Sequence, residues 1–427
     1  LRYHLAAMYQ EPSPAHLATG LPVLEVQTLL QSAGVNLADA LRQVITSAVG
    51  EHPRPVELSR TCGVSKDISY RVLKATGARD PLVAAHWMPG PAPIRELLRG
   101  AKRQGVTEEV LGTAERALSE FDSVVRSEAG DRTGLDVMLA GWIPEVRDKV
   151  QVLGKQAIFR GMSHIRGVSL QVFFEAAIIL PSEDPARCDG VSLCIFDGLR
   201  RARPDAKVHI PMRTLNAPFG CVGPLRLDGN PVESFGDICL TSYSTVRPDQ
   251  VTEVRCADSI IYSLAGAGLG LRSTKTLATA DRWNGCLSRY SPTDPPTRSG
   301  PFCEVLLPTR LLVFDVFVHE SIFPGEEPRL DLFDSILQGT GVDHAAAREV
   351  ATINLSESWI SIGRGLGGVR VPEVPDVVDA TREVFERSGA DPDEFRGYRC
   401  RIEYPPYGTR ITMSFARRLP STSGGDS

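Results

Sequence analysis

Pro55-Val-Glu-Leu-Ser-Arg-Thr-Cys-Gly63-Val-Ser-Lys-Asp-Ile-Ser-Tyr-Arg-Val-Leu-Lys74 is the stretch on which the reading of this chain turns. It has the pattern of two short helices joined by a sharp turn. Gly63 can take the positive φ that such a turn needs. Val64 is the apolar residue that fills the angle between the helices, and Ser65 is placed to cap the second one. Leu58, Ile68, Val72 and Leu73 supply the inward faces, and a helix over Leu37–Val49 is expected to cover them.

These residues resemble the helix-turn-helix of bacterial transcriptional regulators, in particular the Gly-Val-Ser turn and Arg-Val-Leu run of repressors of the lac type. The resemblance spans residues 55–74 only. Ser59 and Ser69 stand where the family usually carries apolar residues, and the hinge and sugar-binding-like domain that follow in that family have no visible counterpart. The resemblance implies contact with double-stranded DNA through the second helix, whose N-terminal part approaches base edges. The residues expected at that contact are Arg60, Ser65, Lys66, Ser69, Tyr70, Arg71 and Lys74. Local charge agrees: ten basic against five acidic residues between Gly50 and Gly105 give +5, in a chain whose net charge is -5. Such residues neutralise phosphates irrespective of base sequence.

Outward from this stretch, the first third reads as helices. Pro22 marks one start and Gly34 its end, with Asn36 capping a second helix that Gly50 closes. Further helices are expected at Pro55–Thr61, Ser65–Thr76, Ile94–Gln104, Thr107–Glu128 and from Pro144 onward. In Thr107–Glu128, Val110, Ala114, Ala117, Phe121 and Val124 form a two-heptad seam, expected to pack internally or to join two subunits of a homodimer. Gly130-Asp-Arg-Thr-Gly134 breaks the helical pattern, so the domain junction is expected between Gly130 and Pro144. The division is then an N-terminal helical segment (1–35), a helix-turn-helix region (36–105), a helical connector (106–143), an α+β sensor or effector domain (144–419) and a disordered tail (420–427).

Beyond Gly167 the texture changes to short apolar or alternating segments bounded by Pro, Gly, Asp and Asn. Strands are expected at Val168–Leu180, Gly190–Phe196, Ile238–Tyr243, Ser259–Leu264, Cys303–Leu307, Leu311–His319, Ser358–Ile362, Tyr398–Tyr404 and Thr409–Ala416. Helices are expected at Asp331–Leu337, His344–Ala351 and Val377–Ser388, and a loop at Asn284–Gly300. The fold class is therefore multidomain α+β: an all-α region carrying the helix-turn-helix, then a larger strand-rich domain.

Composition narrows the function. The 427 residues are 42% hydrophobic and 23% charged, as in globular proteins. No apolar run is long enough to span a bilayer, so no membrane partner is expected. The nine scattered cysteines contain no CxxC pair, and the eight histidines no HExxH. They read as reduced, buried thiols of a cytoplasmic protein, with no metal site. The Gly266–Gly270 and Gly363–Gly368 runs lack the spacing of nucleotide loops, so no cofactor is expected. No nucleophile–base spacing assigns a catalytic residue. The expectation is a DNA-binding transcriptional regulator whose larger domain responds to a small-molecule or protein effector or mediates assembly. The rival is an enzyme or partner-binding protein whose α+β domain carries the activity.

Overall fold

Pro22 leads into helix α1, which runs unbroken from Val23 to Val49. The chain is known here from a computed structural model that describes residues 22–214, 221–255, 259–264, 268–292, 294, 296–334 and 351–419. Two helices were expected where α1 stands, with Gly34 as the break. Instead Gly34 is a contact point: a Cβ there would meet the Ala85 Cβ at 3.2 Å and the Pro81 carbonyl oxygen at 3.3 Å. Glycine is present because a neighbouring helix passes close by, and the helix accepts its conformational cost.

The helices that follow are α2 (Pro55–Cys62), α3 (Lys66–Gly77), α4 (Pro81–Trp87), α5 (Pro91–Arg103), α6 (Glu108–Glu128), α7 (Arg132–Leu139) and α8 (Pro144–Arg166). The chain divides into two compact units, Leu1–Val150 and Gln151–Ser427. The expected junction at 130–144 is occupied by α7. Gly130, at φ 80°, turns the chain. The Asp131 carboxylate then accepts from the Gly134 N–H at 2.8 Å and caps α7. Leu135, Leu139, Ile143 and Val146 join one core that begins at Leu30. The helical unit is therefore a single packed body, not three successive segments. The stretches 1–21 and 420–427 lie outside the described residues.

The second unit is built on strands. They are β1 (Val168–Pro181), β2 (Arg187–Arg201), β3 (Val208–Thr214), β4 (Val222–Leu225), β5 (Val251–Arg255), β6 (Ser259–Leu264), β7 (Lys275–Ser288), β8 (Arg298–Ser299), β9 (Phe302–Glu304), β10 (Thr309–His319), β11 (Arg329–Asp334), β12 (Trp359–Arg364), β13 (Phe395–Glu403) and β14 (Thr409–Ala416). The main sheet has the order β12-β13-β10-β1-β2-β7-β4. Its central pair, β1 and β10, is parallel, with Phe173 beside Leu312. β1 and β2 are antiparallel, as are β10 and β13. A second sheet orders β11-β14-β8, with β9 also on β14, and a third orders β3-β6-β5.

Both faces of the main sheet are covered, which explains why β1 is apolar almost throughout. Phe173, Phe196, Phe314 and Tyr398 face one core together with Met413 and Phe415 of β14. Phe174, Ile195, Val313 and Phe317 face the other, beneath Val377, Ala380, Val384 and Phe385 of the helix Val377–Arg387. Asp315 is buried in this setting and is held by two bonds of 2.7 Å from the Arg399 guanidinium. Arg399 also donates to the Val369 carbonyl at 2.7 Å.

Three local expectations fail. Ile238–Tyr243 is not a strand: the Asp237 carboxylate accepts from the Ser234 N–H at 2.8 Å and closes a helical turn, Phe235–Ile238, followed by a 3-10 turn at Thr241–Tyr243. Residues 331–334 are strand, paired with β14, where a helix was expected. The remainder of that interval and nearly all of His344–Ala351 lie outside the described residues. Asn284–Ser288 belongs to β7 although a loop was expected. Its polar residues find partners: Arg282 donates to Asp189 at 2.8 Å, as does the Gly285 N–H.

Candidate nucleic-acid interface

The α2–α3 corner is built as its sequence suggests. Gly63 takes φ 73° and ψ 27°, the left-handed conformation, and ends α2. Val64 is buried in the turn, and Leu58, Cys62 and Val72 are inaccessible beneath it. The Ser65 hydroxyl accepts from the Ile68 N–H at 3.2 Å and caps α3. Helix α5 clamps the corner from below. A Cβ on Gly100 would overlap the Cys62 carbonyl, so only glycine lets α5 approach. Two α5-side groups satisfy carbonyls at the end of α2: Gln104 donates to Thr61 at 3.1 Å and Arg103 to Cys62 at 3.5 Å.

The seven candidate contact residues separate into two groups. Lys66, Tyr70 and Lys74 are exposed and four residues apart, so they share one face of α3. The Lys74 ammonium lies 5.6 Å from the centre of the Tyr70 ring, an arrangement that favours the cation. The same ring meets Trp87 of α4 edge-on at 5.8 Å. Arg60 on α2 and Ser65 at the head of α3 are exposed as well. Asp67 in the first turn of α3 is an exposed acidic neighbour that opposes anions there.

Ser69 and Arg71 belong to the interior. Ser69 is fully buried, and its hydroxyl donates to the Ser65 carbonyl at 3.1 Å. It cannot reach a groove, because the side of α3 that carries it packs inside the unit. Arg71 is half-buried and donates to the Met88 carbonyl at 3.4 Å. Arg132 of α7 joins it, donating to the Ala85 and Met88 carbonyls, each at 3.0 Å. Two guanidiniums thus neutralise the negative end of α4. Burial lowers the Arg132 pKa, and the nearby Arg71 charge adds to that.

Trp87 was not anticipated as a neighbour of Tyr70. Its helix has a legible start: Pro81 holds the first position, and Asp80 accepts from the Leu82 N–H at 2.8 Å. The seven residues of α4 are too few to show a helical period.

Chemistry elsewhere is sparse. No group of three His, Cys, Asp or Glu among the described residues could hold a metal ion. The described cysteines are free thiols, and burial pushes Cys188 and Cys400 up to about 12, where they are unreactive. His319 Nδ1 lies 2.9 Å from the Ser321 hydroxyl, and Nε2 lies 3.2 Å from Glu394. The same Nδ1 accepts the Ser321 N–H at 3.2 Å, so the contact closes a turn and leaves no free base. Gly363 and Gly365 have positive φ, as glycines in turns do. No helix among the described residues is long and apolar enough to cross a membrane. No family model matches the chain, and no curated protein or solved structure is detectably similar to it.

Proposed function

We propose that the helical unit binds double-stranded DNA through α3 and that the protein is a transcriptional regulator. In this reading the strand-rich unit responds to an effector or mediates assembly. The observation that carries the proposal is the exposed row Lys66, Tyr70 and Lys74, on a helix set by a left-handed glycine turn with a buried valine. Arg60, Lys66 and Lys74 would meet phosphates, Tyr70 would meet the groove, and the Ser65 hydroxyl keeps its proton to donate to a phosphate oxygen. Ser69 and Arg71 would act only by shaping the unit.

Fluorescence anisotropy of the full chain with a labelled duplex, across a salt series, tests this. Affinity should fall steeply with salt, because each neutralised phosphate contributes a slope of about -0.9 to log K against log salt. Lys66→Ala with Lys74→Ala should weaken binding and reduce the slope by about two such contacts. Ser69→Ala should leave the slope unchanged. Absence of duplex binding at low salt would sink the proposal.

A further inference from the structure

Helix α8 packs against the strand-rich unit with its polar side. Gln151 donates to the Asn354 carbonyl at 3.1 Å and accepts from the Ser356 N–H at 2.9 Å. Lys155 is buried in an ion pair with Glu357. The Phe159 ring lies 5.4 Å from that of Tyr404, and Arg166 bonds the Tyr407 hydroxyl. The opposite side is apolar and open. Leu153 is 57% exposed, Ile158 41% and Ile165 69%, and Gly154, Ala157 and Gly161 between them are exposed too. This is the reverse of a surface helix, whose apolar stripe normally faces its own core.

The two glycines sharpen the point. Glycine is the least favourable interior helix residue after proline. Gly34 and Gly100 are explained by neighbours that leave no room for a Cβ. At Gly154 and Gly161 nothing lies within 4 Å of a built Cβ. Nothing in this chain uses the space they leave, so the close approach they permit is to something outside it. They stand seven residues apart, two turns along one side of the helix.

The order of residues identifies the occupant. Reversed about the midpoint of Ala157 and Ile158, the stripe maps onto itself: Leu153 onto Met162, Gly154 onto Gly161, and Ala157 onto Ile158. A two-fold contact requires this self-complementarity, in which residue i meets j while j meets i. We infer that this face of α8 joins the same face of a second copy of the chain, as an antiparallel helix pair with Gly154 crossing Gly161 at both ends. The inference does not depend on DNA binding.

Sedimentation equilibrium on the full chain at micromolar concentration tests it. The wild type should be a dimer. Leu153→Glu and Met162→Lys should each weaken association by roughly tenfold or more, since each puts an unpaired charge into an apolar contact. An equimolar mixture of the two should re-associate, because Glu at 153 in one copy then faces Lys at 162 in the other. Far-UV circular dichroism should show both variants folded. Should Met162→Lys not fold, Gly154→Glu and Gly161→Lys, at positions with open space, carry the same exchange. A monomeric wild type, or single variants that remain dimeric, overturns the proposal. Single variants that dissociate but fail to re-pair when mixed overturn the antiparallel register.

Discussion

Gly63 and Gly100 sit on either side of one carbonyl, that of Cys62, and they are required for different reasons. Gly63 is required by its backbone angle and Gly100 by space. Gly63→Val should cost about 1–3 kcal/mol through strain. Gly100→Ala should cost a comparable amount, about 1–3 kcal/mol, through overpacking. Urea unfolding followed by helical circular dichroism checks both, and an unaltered midpoint for either would show that the corner yields more easily than its geometry implies. The first requirement is visible in sequence, because a glycine before Val-Ser announces a turn. The second is not, because Gly100 lies mid-helix and its neighbour is 38 positions away. Ser69 shows the same limit. A serine at the start of a presumed recognition helix reads as a polar contact, but its hydroxyl bonds the preceding turn and needs no solvent.

Asp315 is a second residue whose behaviour follows from surroundings alone. Burial pushes its carboxyl up to about 6, with Arg399 drawing it down less strongly. An unfolded aspartate titrates near 3.9. The folded state therefore holds the proton more tightly. The stability this contributes is complete below about pH 4 and is lost as pH rises through about 6. Asp315→Asn should lack that decline, which thermal melts at stepped pH will register. A variant that keeps the wild-type decline between pH 4 and 6 would place its origin elsewhere.

At the scale of elements, the α6 seam resolves one of the alternatives its sequence allowed. Ala114, Ala117, Phe121 and Val125 are buried in the helical core. Phe121→Glu should accordingly unfold the helical unit, costing more than about 4 kcal/mol by burying an unpaired charge. Circular dichroism with light scattering would show lost helix, and a folded monomer would return the seam to the outside. Periodicity found α2, α3, α5, α6 and most strands of the main sheet. It erred where one signal has two causes. Gly34 and Gly134 look like breaks and are close contacts. The outer half of β7 looks like a loop because its polar residues are paired with Asp189 and not turned to water. The apolar side of α8 was legible as a helical stripe, but which way it faces was not.

For the whole molecule, the broad division was legible because the two units obey different periods, 3.6 residues in one and two in the other. The boundary was not, since the helix carrying it, α8, has no break in pattern where the units part. The site was legible in part. The row Lys66, Tyr70 and Lys74 follows from helical spacing once α3 is placed, whereas the burial of Ser69 and Arg71 depends on which neighbours arrive.

The parallel pairing of β1 with β10 also bears on synthesis. The helical unit closes its core from segments near one another in the chain. β1 emerges early, apolar on both faces, and its neighbour β10 begins only at Thr309, with β13 later still at Phe395. Contacts this distant form slowly. On the ribosome, the strand at the centre of the sheet therefore waits, half-paired with β2, while more than a hundred further residues are made. That interval is when this protein is most open to capture by chaperones or by the same strand of another nascent chain.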